Sequence, residues 1–182
     1  MAEAQSILLY CSLFVSLFFE VFLLITYYEV RSELKIEEER FKKGITYFPT
    51  VSVIVPMWNE GKTILATIDS LLALDYPKDK LHFMLVDDGS TDDTWEVISQ
   101  FKNNPLFSVH RKENGGKHTA VNLGLEKTTS ELVGCLDADS FVTPWALKRI
   151  VTHFEDPVVM AVTPSIKVHE PKNILQYIQR TE

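Results

Sequence analysis

Apolar positions follow two different regimes along this chain. From Ile7 to Tyr28 they run almost unbroken (ILLYCSLFVSLFFEVFLLITYY), and Glu20 is the single charge in about 22 residues. At 1.5 Å per helical residue such a run crosses a hydrocarbon core of ~30 Å, so it predicts one transmembrane helix. A cleavable signal peptide fits less well, because no Lys or Arg precedes the run, the run is too long, and no small-residue cleavage site follows. Arg31, Lys35, Arg40, Lys42 and Lys43 follow the span and no basic residue precedes it, which by the positive-inside rule places the rest of the chain in the cytosol. Glu20 is costly against lipid: it neutralises, reaches an interface, or meets a polar partner on another helix, although a helix long enough to shift also tolerates it. From Val30 to Lys43, mixed charges with Leu34, Ile36 and Phe41 predict an interfacial helix or linker, with Glu37, Glu38 and Glu39 on its solvated face. The expected organisation is an anchor over 1–29, a juxtamembrane linker over 30–48 and one domain over 49–182.

After Pro49 short apolar runs alternate with helical patterns, which is the signature of βαβ units. The predicted fold class is α/β, a mostly parallel sheet flanked by helices. Strands are expected at Val51–Pro56, Leu81–Asp87, Leu106–His110 and Leu132–Leu136, with a further one at Val158–Val162. Helices are expected at Gly61–Leu74, with Ile64, Ile68, Leu71 and Leu72 on one face, at Lys117–Glu126, at Ala146–Phe154 and at Lys172–Arg180. Another helix, capped by Ser90 or Thr91, should turn Trp95, Ile98 and Phe101 inward.

In open α/β sheets ligands sit outside the carboxyl ends of the strands. Here each of the first four strands ends in a polar or aromatic cluster: Pro56-Met57-Trp58-Asn59-Glu60, Asp87-Asp88-Gly89-Ser90, Arg111 followed by Asn114-Gly115-Gly116-Lys117, and Asp137-Ala138-Asp139. Carboxylates spaced Asp-x-Asp can place one side chain on a hard divalent cation, Mg²⁺ or Mn²⁺, and the other on a ribose hydroxyl or a second metal position. Such a cation would bridge the phosphates of a nucleoside diphosphate and stabilise charge on the leaving group. Lys117, at a helix start after two glycines, brings a positive charge and free N–H groups to the same phosphates. Trp58 offers a face for stacking a base, and Asp87 or Asp88 can accept from a pyrimidine N–H. The clusters together describe a metal-dependent site for a nucleoside diphosphate.

Taken singly, each cluster has an ordinary reading. Asp88-Gly89-Ser90-Thr91 makes a turn and a helix cap, Gly115-Gly116-Lys117 a flexible loop, Trp58 a core residue, and His110 and Arg111 a surface. Their joint occurrence at successive strand ends favours the site. A P-loop is excluded, since Arg111 and His118 stand where that motif needs Gly and Ser or Thr. No Gly-x-Gly-x-x-Gly follows the first strand, which argues against a dinucleotide-binding dehydrogenase. The net charge of -7 and 24% charged residues exclude a typical nucleic-acid binder. Cys11 and Cys135 suggest no disulfide framework, and the lack of an Asn-x-Ser/Thr site is compatible with a cytosolic domain.

The runs VSVIVPMWNE, LVDDGSTDDT, ENGGKHTAVNLGL and LDADSFVTPWAL, in that order from Val51 to Leu147, resemble the N-terminal half of GT-A type family 2 glycosyltransferases. The nearer likeness is to membrane-bound, inverting β-glycan synthases such as the hyaluronan, chitin and poly-N-acetylglucosamine synthases. The resemblance implies a donor site for a UDP-sugar, with UDP-N-acetylglucosamine favoured. Trp58 stands where the family usually has a uracil-stacking Tyr. Pro56, Asn59, Glu60 and Gly116 would line the donor site. Asp87 and Asp88 match its base-contacting acidic pair, Lys117 its lysine near the diphosphate with Arg111 assisting, Asp137 its donor-facing carboxylate, and Asp139 its metal ligand.

The resemblance also implies what to expect downstream. The family's general base is an Asp in a Thr/Gly-Glu/Asp-Asp type motif, followed by Gln-x-x-Arg-Trp and further membrane helices, all expected beyond Glu182. No catalytic residue is therefore assigned among these 182 residues. The favoured reading is the donor-binding half of a transferase acting on a glycan or lipid-linked acceptor at the membrane, with a C-terminal half or partner subunit supplying the base. The alternative is a binding module that holds a UDP-sugar without transferring it. A nucleotidyltransferase is disfavoured for want of the glycine-rich, basic N-terminal loop.

Overall fold

The structure, a computed structural model, describes residues 2–165. The chain falls into two units, Met1–Gly44 and Ile45–Glu182.

The first unit is one helix, α1 (Ala2–Lys43). No Gly or Pro interrupts it, so the segment expected as an interfacial helix or linker continues the apolar helix without a break. Gly44, at φ +77°, ends it in the left-handed conformation that favours glycine, and its N–H bonds the Phe41 carbonyl at 3.1 Å. Its large apolar side chains are exposed, among them Leu8, Phe14, Phe18, Phe22 and Leu24. A helix that is apolar on all sides lacks a stripe to turn toward a soluble core. It is long and apolar enough to cross a membrane. Within it Ser16 Oγ lies 3.4 Å from Glu20 Oε1 and is the donor of that contact.

In the second unit β1 (Val51–Met57), β2 (Leu81–Asp87), β3 (Phe107–Arg111) and β4 (Leu132–Cys135) form one sheet in the order β3-β2-β1-β4. Every described pairing is parallel, with Val51 opposite both Leu81 and Leu132 and Phe83 opposite Phe107. The α/β expectation holds. All seven residues of β1 are buried, which suits the near-continuous apolar run of a central parallel strand.

Alternation sends Val51, Val53, Val55 and Met57 to one face and Ile54 to the other. The first face, with Phe83 and Leu85, packs under α2 (Ile64–Leu72), α3 (Thr94–Ser99) and α5 (Ala146–His153) through Ile64, Ile68, Leu71, Ile98, Leu147 and Val151. The second carries Met84 and Val86 and is covered by α4 (Lys117–Lys127) through Ala120 and Leu123. That helix comes close because of Gly124, where a Cβ would lie 2.7 Å from Ile54.

Three expectations are corrected. The helix expected after Ser90 or Thr91 starts only at Thr94 and is capped by neither: Ser90 Oγ accepts from Asn59 N at 2.8 Å, and Thr91 N donates to Asn59 Oδ1 at 2.8 Å. The helix expected from Gly61 starts at Ile64, because residues 61–63 form a turn in which the Glu60 carbonyl accepts from both Thr63 and Ile64. Val158–Val162 is not a strand. The run has no ladder partner among the described residues, and Val158 and Met160 stand 82% and 87% exposed. The helix expected at Lys172–Arg180 lies outside the described residues.

Candidate functional site

The chain runs outward from β1 to β2 to β3 and then returns to place β4 on the other side of β1, so the strand order reverses at the carboxyl ends of β1 and β4. Loops leaving adjacent strands at such a point diverge and leave a crevice. A cleft of about 460 Å³ opens there, lined by Pro56, Met57, Trp58, Glu60, Asp88, Asn114, Gly116, Lys117, Asp137, Ala138 and Asp139. Pro56 sits at this divergence for a physical reason. Proline has no N–H to give a ladder. The β4 pairing ends at Ile54, where Leu136 N donates to the Ile54 carbonyl at 3.0 Å, and residue 56, next in line on that side, has no N–H to continue it.

Asp88, 3% exposed, is the hub of one wall. Its carboxylate accepts from Lys112 Nζ at 2.6 Å, from Gly115 N at 3.1 Å and from Gly116 N at 2.7 Å. Burial pushes this carboxyl up, but the Lys112 ammonium and the two glycine N–H groups outweigh it and hold it below the ordinary 3.8. The glycine loop is thus wrapped around a carboxylate of the neighbouring strand end. Gly89 permits the approach: its φ is +73°, and a Cβ there would stand 2.7 Å from Asn114 N.

Across the cleft Asp137 and Asp139 are exposed, with buried Ala138 between them. Lys117, the first residue of α4, forms an ion pair with Asp137 Oδ1. That hydrogen bond raises the Lys117 ammonium above its ordinary 10.5, so Lys117 is cationic at neutral pH. Trp58 is 55% exposed at the cleft wall, free to present a ring face.

Of the residues expected in the site, Pro56, Trp58, Glu60, Asp88, Gly116, Lys117, Asp137 and Asp139 line the cleft. Asn59, Asp87 and Arg111 are outside its lining. Asp87 is fully buried and accepts from Ser90 N at 2.9 Å. Its Oδ2 lies 3.1 Å from Arg111 Nε, an ion pair whose angle falls short of a hydrogen bond. Arg111 also donates to the Ser90 carbonyl at 2.9 Å and lies over the Trp95 ring, 5.3 Å from its centroid. Asn59, at φ 57°, bridges the β1 and β2 loops through Ser90 and Thr91. Met57, Asn114 and Ala138, named in the strand-end clusters without a role of their own, complete the lining, and Lys112 is the addition that sequence reasoning missed. The signal for Lys112 was a cation directly after β3, overshadowed by Lys117 in its glycine-flanked motif.

The donor set suits a cation completed by its ligand. Mg²⁺ is usually held by one or two carboxylates together with phosphates and waters, and two exposed carboxylates at one turn meet that demand. Among the described residues no group of three or more His, Cys, Asp or Glu side chains forms an all-protein cage.

The fold and cleft define an α/β domain with an open crevice at its strand-order reversal, and comparison with known proteins narrows the class. Residues 52–181 match the model of Glycosyl transferase family 2, and the chain belongs to that family. It is 34% identical over 134 residues to a poly-beta-1,6-N-acetyl-D-glucosamine synthase of Staphylococcus epidermidis, a match covering 72% of this chain and 32% of the relative. Among solved structures, the mannosyltransferase PcManGT from Pyrobaculum calidifontis, in complex with GDP-Man and Mn²⁺, aligns with a TM-score of 0.59 at 36% identity, over 63% of this chain and 34% of that one. S. aureus TarS 1–349 in complex with UDP-GlcNAc aligns with a TM-score of 0.55 at 30% identity, over 59% of this chain and 31% of that one. The chain thus spans about a third of the length of the relatives it matches.

Proposed function

We propose that the cleft is the donor site of a membrane-anchored glycosyltransferase and takes a UDP-sugar, UDP-N-acetylglucosamine first among candidates, together with Mg²⁺ or Mn²⁺. The observation that carries the reading is the pairing of two exposed carboxylates and a cationic helix-start lysine with an exposed indole, all on one cleft at the strand-order reversal. In this reading Trp58 stacks on the base and the Asp88-organised loop forms the floor beneath the nucleotide. Lys117 exchanges its Asp137 partner for a diphosphate oxygen. Asp139, with Asp137 beside it, would hold the cation, which supplies charge stabilisation to the departing diphosphate when bound. The likeness to a structure holding Mn²⁺ with GDP-Man and another holding UDP-GlcNAc supports both the cation and the nucleotide class.

Transfer then proceeds with inversion. The oxygen of an acceptor hydroxyl, on a glycan or a lipid-linked glycan, bonds to the anomeric carbon as the bond to UDP breaks. Its proton passes to a general base from chain beyond Glu182 or from a partner subunit. The basic residues from Arg31 to Lys43 support a cytosolic domain with α1 as its anchor.

Calorimetric titration of the full chain in detergent with UDP, GDP and UDP-N-acetylglucosamine, each with Mn²⁺ or EDTA, tests the donor claim. Metal-dependent UDP binding that disappears in Asp139→Ala is the expected outcome. Preference for GDP overturns the choice of base, and no nucleotide binding by the folded chain overturns the site.

A further inference from the structure

The turn that carries Asp137 and Asp139 is fastened from outside the sheet. Its middle residue, Ala138, is 5% exposed and packs into the core, and its carbonyl accepts a 2.7 Å hydrogen bond from Thr67 Oγ1. Thr67 sits midway along α2 with no exposed surface. A hydroxyl inside a helix ordinarily bonds back to a carbonyl of its own helix. This one reaches out to the turn instead. Ser70, almost one helical turn on, donates to the Thr67 carbonyl at 2.7 Å and accepts from Val142 N at 3.3 Å. Beyond the helix end, Asp75 N donates to the Pro144 carbonyl at 2.8 Å, and the Asp75 carboxylate pairs with Lys148 at 2.6 Å. These ties run in parallel order along both segments. The aspartates flanking Ala138 stay exposed throughout.

We propose that Thr67 is a positioning residue for the Asp137-Ala138-Asp139 turn, with Ser70 as its second tie. Through the Ala138 carbonyl it fixes the angle at which both carboxylates enter the cleft, and so sets the cation-dependent part of UDP binding. The inference rests on the donor-site reading above. Two properties of threonine suit the role: the hydroxyl satisfies a buried carbonyl, and the β-branch stiffens χ1 so that the hydroxyl keeps one direction. Valine keeps the branch and removes the donor, whereas serine keeps the donor and removes the branch.

The test compares the full chain with Thr67→Val, Thr67→Ser and Ser70→Ala in the same detergent by two readouts. The first is the ratio of UDP dissociation constants in EDTA and in Mn²⁺. The second, which needs no ligand, is amide hydrogen exchange of the free chain over residues 137–142 and over residues 112–117. Thr67→Val should reduce the ratio by roughly tenfold, the size of effect seen when a partner behind a metal ligand is lost, with little change in the EDTA value. It should also speed exchange over 137–142 and leave 112–117 unchanged, while Thr67→Ser returns both readouts most of the way. Ser70→Ala should move both in the same direction by less, and it carries the test if Thr67→Val does not unfold cooperatively. An unchanged ratio in a variant with faster turn exchange overturns the proposal, and so does a proportional loss of both affinities. If the unmutated chain binds no UDP the donor reading falls by itself; exchange over 137–142 unaffected by Thr67→Val would then sink the positioning role as well.

Discussion

Two aspartate pairs stand at the same edge of one sheet, Asp87-Asp88 after β2 and Asp137-x-Asp139 after β4, and their circumstances are opposite. The first pair is buried. Asp87 is committed to Ser90 and Arg111, and Asp88 to Lys112 and two glycine N–H groups. The second pair is exposed, and Asp137 has a single lysine partner. A carboxylate engaged inside the protein holds the loops around the cleft together; one exposed at the cleft stays accessible from it. Residue type and position at a strand end are the same in both cases, and burial separates the roles.

The comparison breaks most readily at Asp88. Asp88→Ala strands Lys112 and the Gly115 and Gly116 N–H groups, and should lower unfolding free energy by roughly 3 kcal/mol, the cost of removing one partner of a buried ion pair. Urea titration checks this, and a loss near zero would mean that the loop is held without its hub. The pH dependence has a definite sign. The folded carboxyl is held below 3.8, so the unfolded chain takes up the proton first, and the stabilisation is complete above 3.8 and lost as pH falls through the folded value. Stabilities of the unmutated chain and Asp88→Asn should therefore converge in acid.

Next in size is Gly89→Ala, which forces a side chain to φ +73° against Asn114 and should cost about 2 kcal/mol by the same assay. Asp139→Ala should act in the contrary way, with stability unchanged to within about 0.5 kcal/mol but Mn²⁺-dependent UDP affinity lower by at least about tenfold, or 1.4 kcal/mol. A large stability loss there would erase the contrast between the pairs. The smallest effect belongs to Lys117→Gln, whose exposed ion pair should shift unfolding by less than about 0.5 kcal/mol, leaving any loss of UDP affinity to be read without correction for folding.

Much of the fold was legible because the domain alternates cleanly between strand and helix periods. β2 falls on Leu81–Asp87 as expected, and the other three core strands agree to within a residue at each end. Failures occur where local chemistry has two uses. Ser90 and Thr91 carry the residue types of a helix cap, and only the arrival of Asn59 from another loop diverts them. Val158–Val162 has a strand's composition, but composition cannot supply a ladder partner. Within the cleft the polar clusters were visible, yet Asp87 and Asp88 were given one role. Side-chain alternation held a clue: Phe83, Leu85 and Asp87 share a face with Phe107, Val109 and Arg111, so Asp87 and Arg111 were due to meet each other on the α3 side. Thr67 gave no signal at all, since a threonine inside an amphipathic helix reads as ordinary filling until the turn it reaches is in place.

Pro56 has an effect that its place in the cleft wall does not exhaust. By the β1–β4 register, the next rung after Ile54 and Leu136 would run from the N–H of residue 56 to the Leu136 carbonyl. An ordinary residue would let the two strands zip one step further, drawing the Asp137 segment toward β1. Proline withholds that single proton, and in doing so it acts as a stop on the sheet's own growth and keeps open the space into which Trp58, Asp137 and Asp139 face.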